Sequence, residues 1–134
     1  MEKTFRRDFT ALGEIFEFTD RFISDHKIDE SYRNWIKLAV EELFTNLVRH
    51  NTGGGEGIEM RVNLREGCLE IQLIDDDVDP FDPSSVPEVC LDAQIEDRRA
   101  GGLGLHLVKS IVDEIRYEHE NRRMTVTIIK ELER

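Results

Sequence analysis

No run of apolar residues in this chain approaches the roughly 18 needed to cross a bilayer, although 39% of its 134 residues are hydrophobic. Residues Met1 to Asp8 lack the apolar stretch of a secretion signal, so a cytoplasmic protein with no membrane partner is expected. Cysteine is scarce. Cys68 and Cys90 share neither C-x-x-C nor metal-ligand spacing, which argues against a disulfide framework or a zinc site and for two reduced thiols. Positive charge is the other shortage: 18 Lys and Arg face 29 Asp and Glu, for a net charge of −11. The basic residues gather only in pairs such as Arg6-Arg7, Arg98-Arg99 and Arg122-Arg123. Most of such a surface repels a phosphate backbone, so no direct nucleic-acid contact is expected; solubility and basic partners are favoured instead. The length suits a single domain over residues 1–134 with a sizeable core.

Periodicity supplies the elements. Lys3 to Phe9 has the mixed polarity of an edge strand. Leu12, Ile15, Phe16, Thr19, Phe22 and Ile23 recur at helical spacing, and a second helix, capped by Asp29 or Ser31, runs to about His50 before Asn51 to Gly55 stops it. Alternation at Ile58, Met60, Val62 and Leu64, then at Leu69, Ile71 and Leu73 beyond a turn at Glu66-Gly67, predicts a β-hairpin. The run Asp75 to Pro83 must leave the sheet, because Pro80 and Pro83 cannot sit in a central strand. Ser84 to Ala100 keeps no period and reads as a loop or lid. A third helix follows Gly101 to Gly104, with Leu105, Leu107, Val108, Ile111, Val112 and Ile115 on its buried side. The chain closes with a hairpin, Ile115 to Glu120 and Met124 to Glu131, turning at Asn121-Arg122. This order predicts an α+β two-layer sandwich, three main helices on one face of a largely antiparallel mixed sheet.

Three segments carry chemistry. On the second helix Glu42, Thr45, Asn46, Arg49 and His50 form a polar stripe opposed to Ile36, Val40, Leu43 and Leu47. A carboxylate and a carboxamide one turn apart suit a divalent cation with its phosphates, Asn supplying a neutral oxygen and Glu an acceptor for a proton; alone, such a stripe is most often a solvated face. Carboxylates at Asp75 to Asp77, ending a buried strand, can accept from an exocyclic amine such as adenine's, or simply face water. The glycines before the third helix let backbone N–H groups approach phosphates at a positive helix end, or serve packing alone. The motif is neither a P-loop nor a Rossmann fingerprint.

In this order and at these distances the segments resemble the ATP-binding signature of the gyrase, chaperone, histidine kinase and mismatch-repair superfamily, built on the Bergerat-type ATP-binding fold. The likeness lies in Glu42-x-x-x-Asn46, in Asp76 to Pro80, and in Gly102-Leu103-Gly104. Within the superfamily the chain is similar to small anti-sigma-factor serine kinases of bacteria, through R-H-N-T-G at Arg49 to Gly53, P-F-D-P at Pro80 to Pro83 and the stretch Gly101 to Glu114. The resemblance implies an ATP- and Mg²⁺-dependent serine/threonine protein kinase that phosphorylates an anti-anti-sigma (STAS-domain) protein, sequesters a sigma factor and forms a homodimer. It implies Glu42 as general base, Asn46 as Mg²⁺ ligand, His50 near the phosphates and Asp76 as acceptor for the adenine amine. Gly102, Leu103 and Gly104 would cradle phosphates beneath a lid from about Cys90 to Ala100, with Thr125 an adenine neighbour.

The chain departs from the family at Val78, where the first glycine box usually has glycine. A β-branched residue disfavours φ > 0, so Val78 reshapes the turn under adenine or costs a conformation there. The alternative expectation is therefore a catalytically impaired member of the superfamily acting as a protein-binding switch.

Overall fold

In the computed structural model, residues 1–50, 57–76 and 108–132 are described. The chain opens with strand β1, Glu2–Arg6, and a short 3-10 turn at Phe9–Ala11. Asp8 ends the strand earlier than the expected Phe9, because its side chain accepts from the Thr10 backbone N–H and starts the turn. Helix α1, Leu12–Asp25, buries Ile15, Phe18, Thr19, Phe22 and Ile23. Asp29 caps the next turn, Glu30–Tyr32, by accepting from the Ser31 N–H at 2.8 Å, and helix α2, Arg33–His50, follows directly.

Strands β2, Gly57–Arg65, and β3, Cys68–Asp76, form the expected hairpin, with Glu66 and Gly67 at positive φ in its turn. Strands β4, Glu114–Glu120, and β5, Arg123–Glu131, form the second, where Asn121 and Arg122 take the positive φ. Among the described residues five strands lie in the order β1-β2-β3-β5-β4, and every pairing is antiparallel. The expected largely antiparallel sheet is thus antiparallel throughout its described strands. Strand β5 enters between β3 and β4 by turning back from its neighbour, and a hairpin return is necessarily antiparallel.

The third helix is described over 108–111, where it ends with the Val112 N–H donating to the Val108 carbonyl. Ile115, which the sequence offers both to this helix and to the last hairpin, belongs to β4, opposite Ile128. Asp113 makes the switch. Its N–H donates to the Ile129 carbonyl, and its carboxylate accepts from the Glu131 N–H, tying the chain to β5.

One face of the sheet meets the helices. Ile58, Met60 and Val62 of β2, Leu69, Ile71 and Leu73 of β3, and Met124, Val126 and Ile128 of β5 join Ile36, Leu43, Phe44 and Leu47 of α2 in one buried cluster. Phe5 meets Phe18 edge-on at 5.6 Å, joining β1 to α1. The opposite face bears Glu59, Arg61, Glu70 and Gln72, as strand alternation requires. Among the described residues no helix is long and apolar enough to cross a membrane.

Candidate nucleotide site

Helix α2 carries the first part of the site. Its apolar stripe is drawn into the core, and the adjoining Asn46 goes with it to 6% exposure. Among the described residues no hydrogen bond engages the Asn46 carboxamide. A carboxamide without a protein partner is available to a ligand or to water. One turn earlier Glu42 is half-buried. Burial pushes its carboxyl pKa up, the neighbouring Glu41 adds to the shift, and Arg49 opposes it. A carboxylate of raised basicity beside a neutral oxygen ligand can take a proton next to a metal-bound phosphate.

The end of β3 carries the second part, and here the geometry separates two adjacent carboxylates. Asp76 projects from the face turned away from α2, where its Oδ1 accepts from Arg123 Nε at 2.6 Å. Thr125 shares that face and lines a shallow cavity of about 340 Å³ with Asp76, Glu118 and Arg123. Asp75 projects the other way and is fully buried; its Oδ2 accepts from Arg7 Nη2 at 3.1 Å. Arg7 also reaches the Leu47 carbonyl of α2 at 3.5 Å. The structure thus brings Glu42 and Asn46 together, and Asp76 and Thr125 together, on opposite sides of the sheet.

Gly102, Leu103, Gly104, Val78 and the lid segment lie outside the described residues, as does the side chain of His50. The Arg7–Asp75 pair was not foreseen from the sequence. Its signal was present for the carboxylate: after Leu69, Ile71 and Leu73 the next inward position by period two is Asp75. For Arg7, in the bend between β1 and the 3-10 turn, no periodicity exists to read.

Among the described residues no cluster of three or more His, Cys, Asp or Glu could hold a metal unaided. The donor set nevertheless fits Mg²⁺, which takes few protein ligands and completes its shell with phosphate oxygens and water. The Asn46 carboxamide oxygen could serve as one of those few protein ligands.

Among the described residues two long helices lie across a five-stranded antiparallel sheet, with a carboxylate–carboxamide pair on the second, and this defines the class: an α+β two-layer sandwich. Over residues 5–130 the sequence matches the histidine kinase-like ATPase domain, and the chain belongs to that family. Among similar proteins, the Serine-protein kinase RsbW of Bacillus cereus is 33% identical over 104 residues, 74% of this chain and 64% of that protein. The protein of the same name from Halalkalibacterium halodurans is 32% identical over 90 residues, 64% of this chain and 55% of its own. The match therefore spans less than two thirds of either relative. Of solved structures, the RsbU and RsbW domains of Rv1364c from Mycobacterium tuberculosis align over 100% of this chain and 32% of theirs, with a TM-score of 0.72 at 19% identity. The histidine kinase domain of the Erythrobacter litoralis EL346 blue-light activated histidine kinase aligns with a TM-score of 0.55 at 20% identity, covering 92% of this chain and 60% of its own. These two likenesses concern the fold.

Proposed function

We propose that the chain is an ATP- and Mg²⁺-dependent serine/threonine protein kinase that acts as an anti-sigma factor. Its substrate in this reading is a serine of an anti-anti-sigma protein of STAS type, and it holds a sigma factor when that antagonist is phosphorylated. The observation that carries the reading is the placement on α2, one turn apart, of Asn46, which has no hydrogen-bond partner among the described residues, and a Glu42 carboxyl whose pKa burial raises. Asn46 would hold Mg²⁺ against the phosphates, and the ion would neutralise charge developing on the transferred group. Glu42 takes the proton from the serine hydroxyl as its oxygen bonds to the γ-phosphorus and ADP departs. His50, Gly102, Leu103 and Gly104 contribute phosphate contacts, and the protein works as a homodimer in the cytoplasm.

The reading places adenine on the α2 side of the sheet. Among the described residues the end-of-β3 carboxylate that faces that side is Asp75, paired with Arg7. Asp76, beside Thr125 on the other face, is the adenine acceptor that the family signature points to. Calorimetry with ATP·Mg²⁺ on Asp75→Asn and Asp76→Asn separates the two: loss of affinity confined to Asp76→Asn assigns the contact to Asp76.

The decisive experiment incubates the protein with ATP·Mg²⁺ and a STAS-type antagonist. Phosphoserine on the antagonist, lost in Glu42→Ala with nucleotide still bound, is the expected result. No nucleotide binding at millimolar ATP would sink the kinase. That result favours a protein-binding switch without catalysis, a reading supported by Val78 and by the arginines already paired with Asp75 and Asp76.

A further inference from the structure

A second cavity, of about 420 Å³, opens at the other end of α2, between its first half, the start of β3, the end of β5 and residues 110–112. Glu42 and Asn46 do not line it. Its volume lies in the range of small-molecule sites, roughly 300–1,000 Å³. Trp35, Ala39, Ile71, Ile111 and Ile128 make it apolar, and a cavity so lined offers little to ordered water. Trp35 keeps 52% of its surface exposed, an unusual position for the largest apolar side chain available.

Lys130, with the hydroxyl-bearing Tyr32 and Ser110, interrupts the apolar lining and brings its one charge. It follows Ile128 on the helix-facing side of β5, so alternation puts a cation where Met124, Val126 and Ile128 are buried. Its stem can lie along apolar surface while the ammonium stays near the mouth. Among the described residues no ion pair or hydrogen bond engages that ammonium, as for Arg21, Lys27, Arg65 and Lys109, but Lys130 is the cation that lines the cavity. An unpaired cation at the edge of an apolar cavity, in a chain of net charge −11, selects for a ligand with a long apolar body and one negative end.

We propose that this cavity binds a medium-chain aliphatic carboxylate, its chain among Trp35, Ala39, Ile71 and Ile128 and its headgroup on Lys130. The protein carries its own probe, since Trp35 is the single tryptophan. The full chain is titrated with hexanoate, octanoate and decanoate, and with decanol and decyltrimethylammonium, all below their micelle concentrations, while Trp35 emission is followed. A saturable blue shift is expected with the carboxylates, affinity rising about fourfold per methylene until the cavity is full. Lys130→Gln should weaken decanoate about fivefold and leave decanol unchanged. Ala39→Leu, which fills the cavity, should abolish the response; because Ala39 is deep in the core, Ile111→Phe narrows the same space from a less buried position and should do likewise. A Trp35 emission unmoved by every probe overturns the proposal, as does decanoate binding that survives both filling variants. Decanol or decyltrimethylammonium binding as tightly as decanoate overturns the carboxylate, and shows that any apolar group, including a partner's side chain, fills the cavity.

Discussion

Glu42 shows how one side chain's surroundings set what it can do. Its folded-state pKa is raised, so it stays protonated, and inert as a base, over a pH range in which an ordinary glutamate is already ionised. The acid limb of the phosphoryl-transfer profile should therefore lie above the ordinary glutamate range. Arg49→Gln removes the charge that opposes the shift and should move the limb further up, as initial rates across pH would show. Glu42→Gln should cut transfer by about 100-fold or more. Because the folded state penalises the ionised form, the stability linked to Glu42 is present at low pH and is lost as pH rises through its folded pKa. The same variant should accordingly not lower Tm at neutral pH, so a melting curve distinguishes lost chemistry from lost fold. The carboxylates of β3 differ in the same way. Asp75 is fully buried against Arg7, and removing one partner of such a pair costs about 3 kcal/mol, so Arg7→Met should depress Tm by about 10 °C. Asp76 and Arg123 are both more than half exposed, and Asp76→Asn should leave the melting curve where it is.

At the scale of elements, the hairpins and long helices were legible because their burial follows one period each. Helix α2 has the apolar stripe Ile36, Val40, Leu43 and Leu47 read from the sequence, and β2 and β3 alternate as expected. Where two periods overlap the pattern fails. Ile115 fits both the third helix and the last hairpin, and the hydrogen bonds of Asp113 to β5 decide for the strand. Phe18 rather than Phe16 is deeply buried on α1, since the neighbouring β1 brings Phe5 against it, whereas Lys37 of α2 covers Phe16. Gly57 illustrates a requirement no periodicity carries. A Cβ there would meet the Phe5 carbonyl oxygen and Thr4 Cγ2, each at 2.7 Å, so β1 can lie against β2 only with glycine at this position. Gly57→Ala should displace β1 and cost about 1–3 kcal/mol in a denaturant titration.

Across the whole molecule, binding and stability are linked. ATP·Mg²⁺ that binds only the folded chain should stabilise it by about 2.7 kcal/mol at a hundredfold excess over Kd, and the gain in Tm should disappear in Asn46→Ala. The sequence by itself determined the two helices, the two hairpins, their order and the family signature, because these are written in local periodicity and in spacings within single segments. It also placed Glu42 and Asn46 one turn apart on a common stripe. Only the tertiary structure decided which side of the sheet each end-of-strand carboxylate faces, since the inward side exists only once α2 packs on it. The same packing drew Asn46 under cover, raised the pKa of Glu42 and closed Arg7 onto Asp75 across 68 residues of chain. Burial and contact between distant segments arise from the assembled layers, and no stretch of sequence contains them alone.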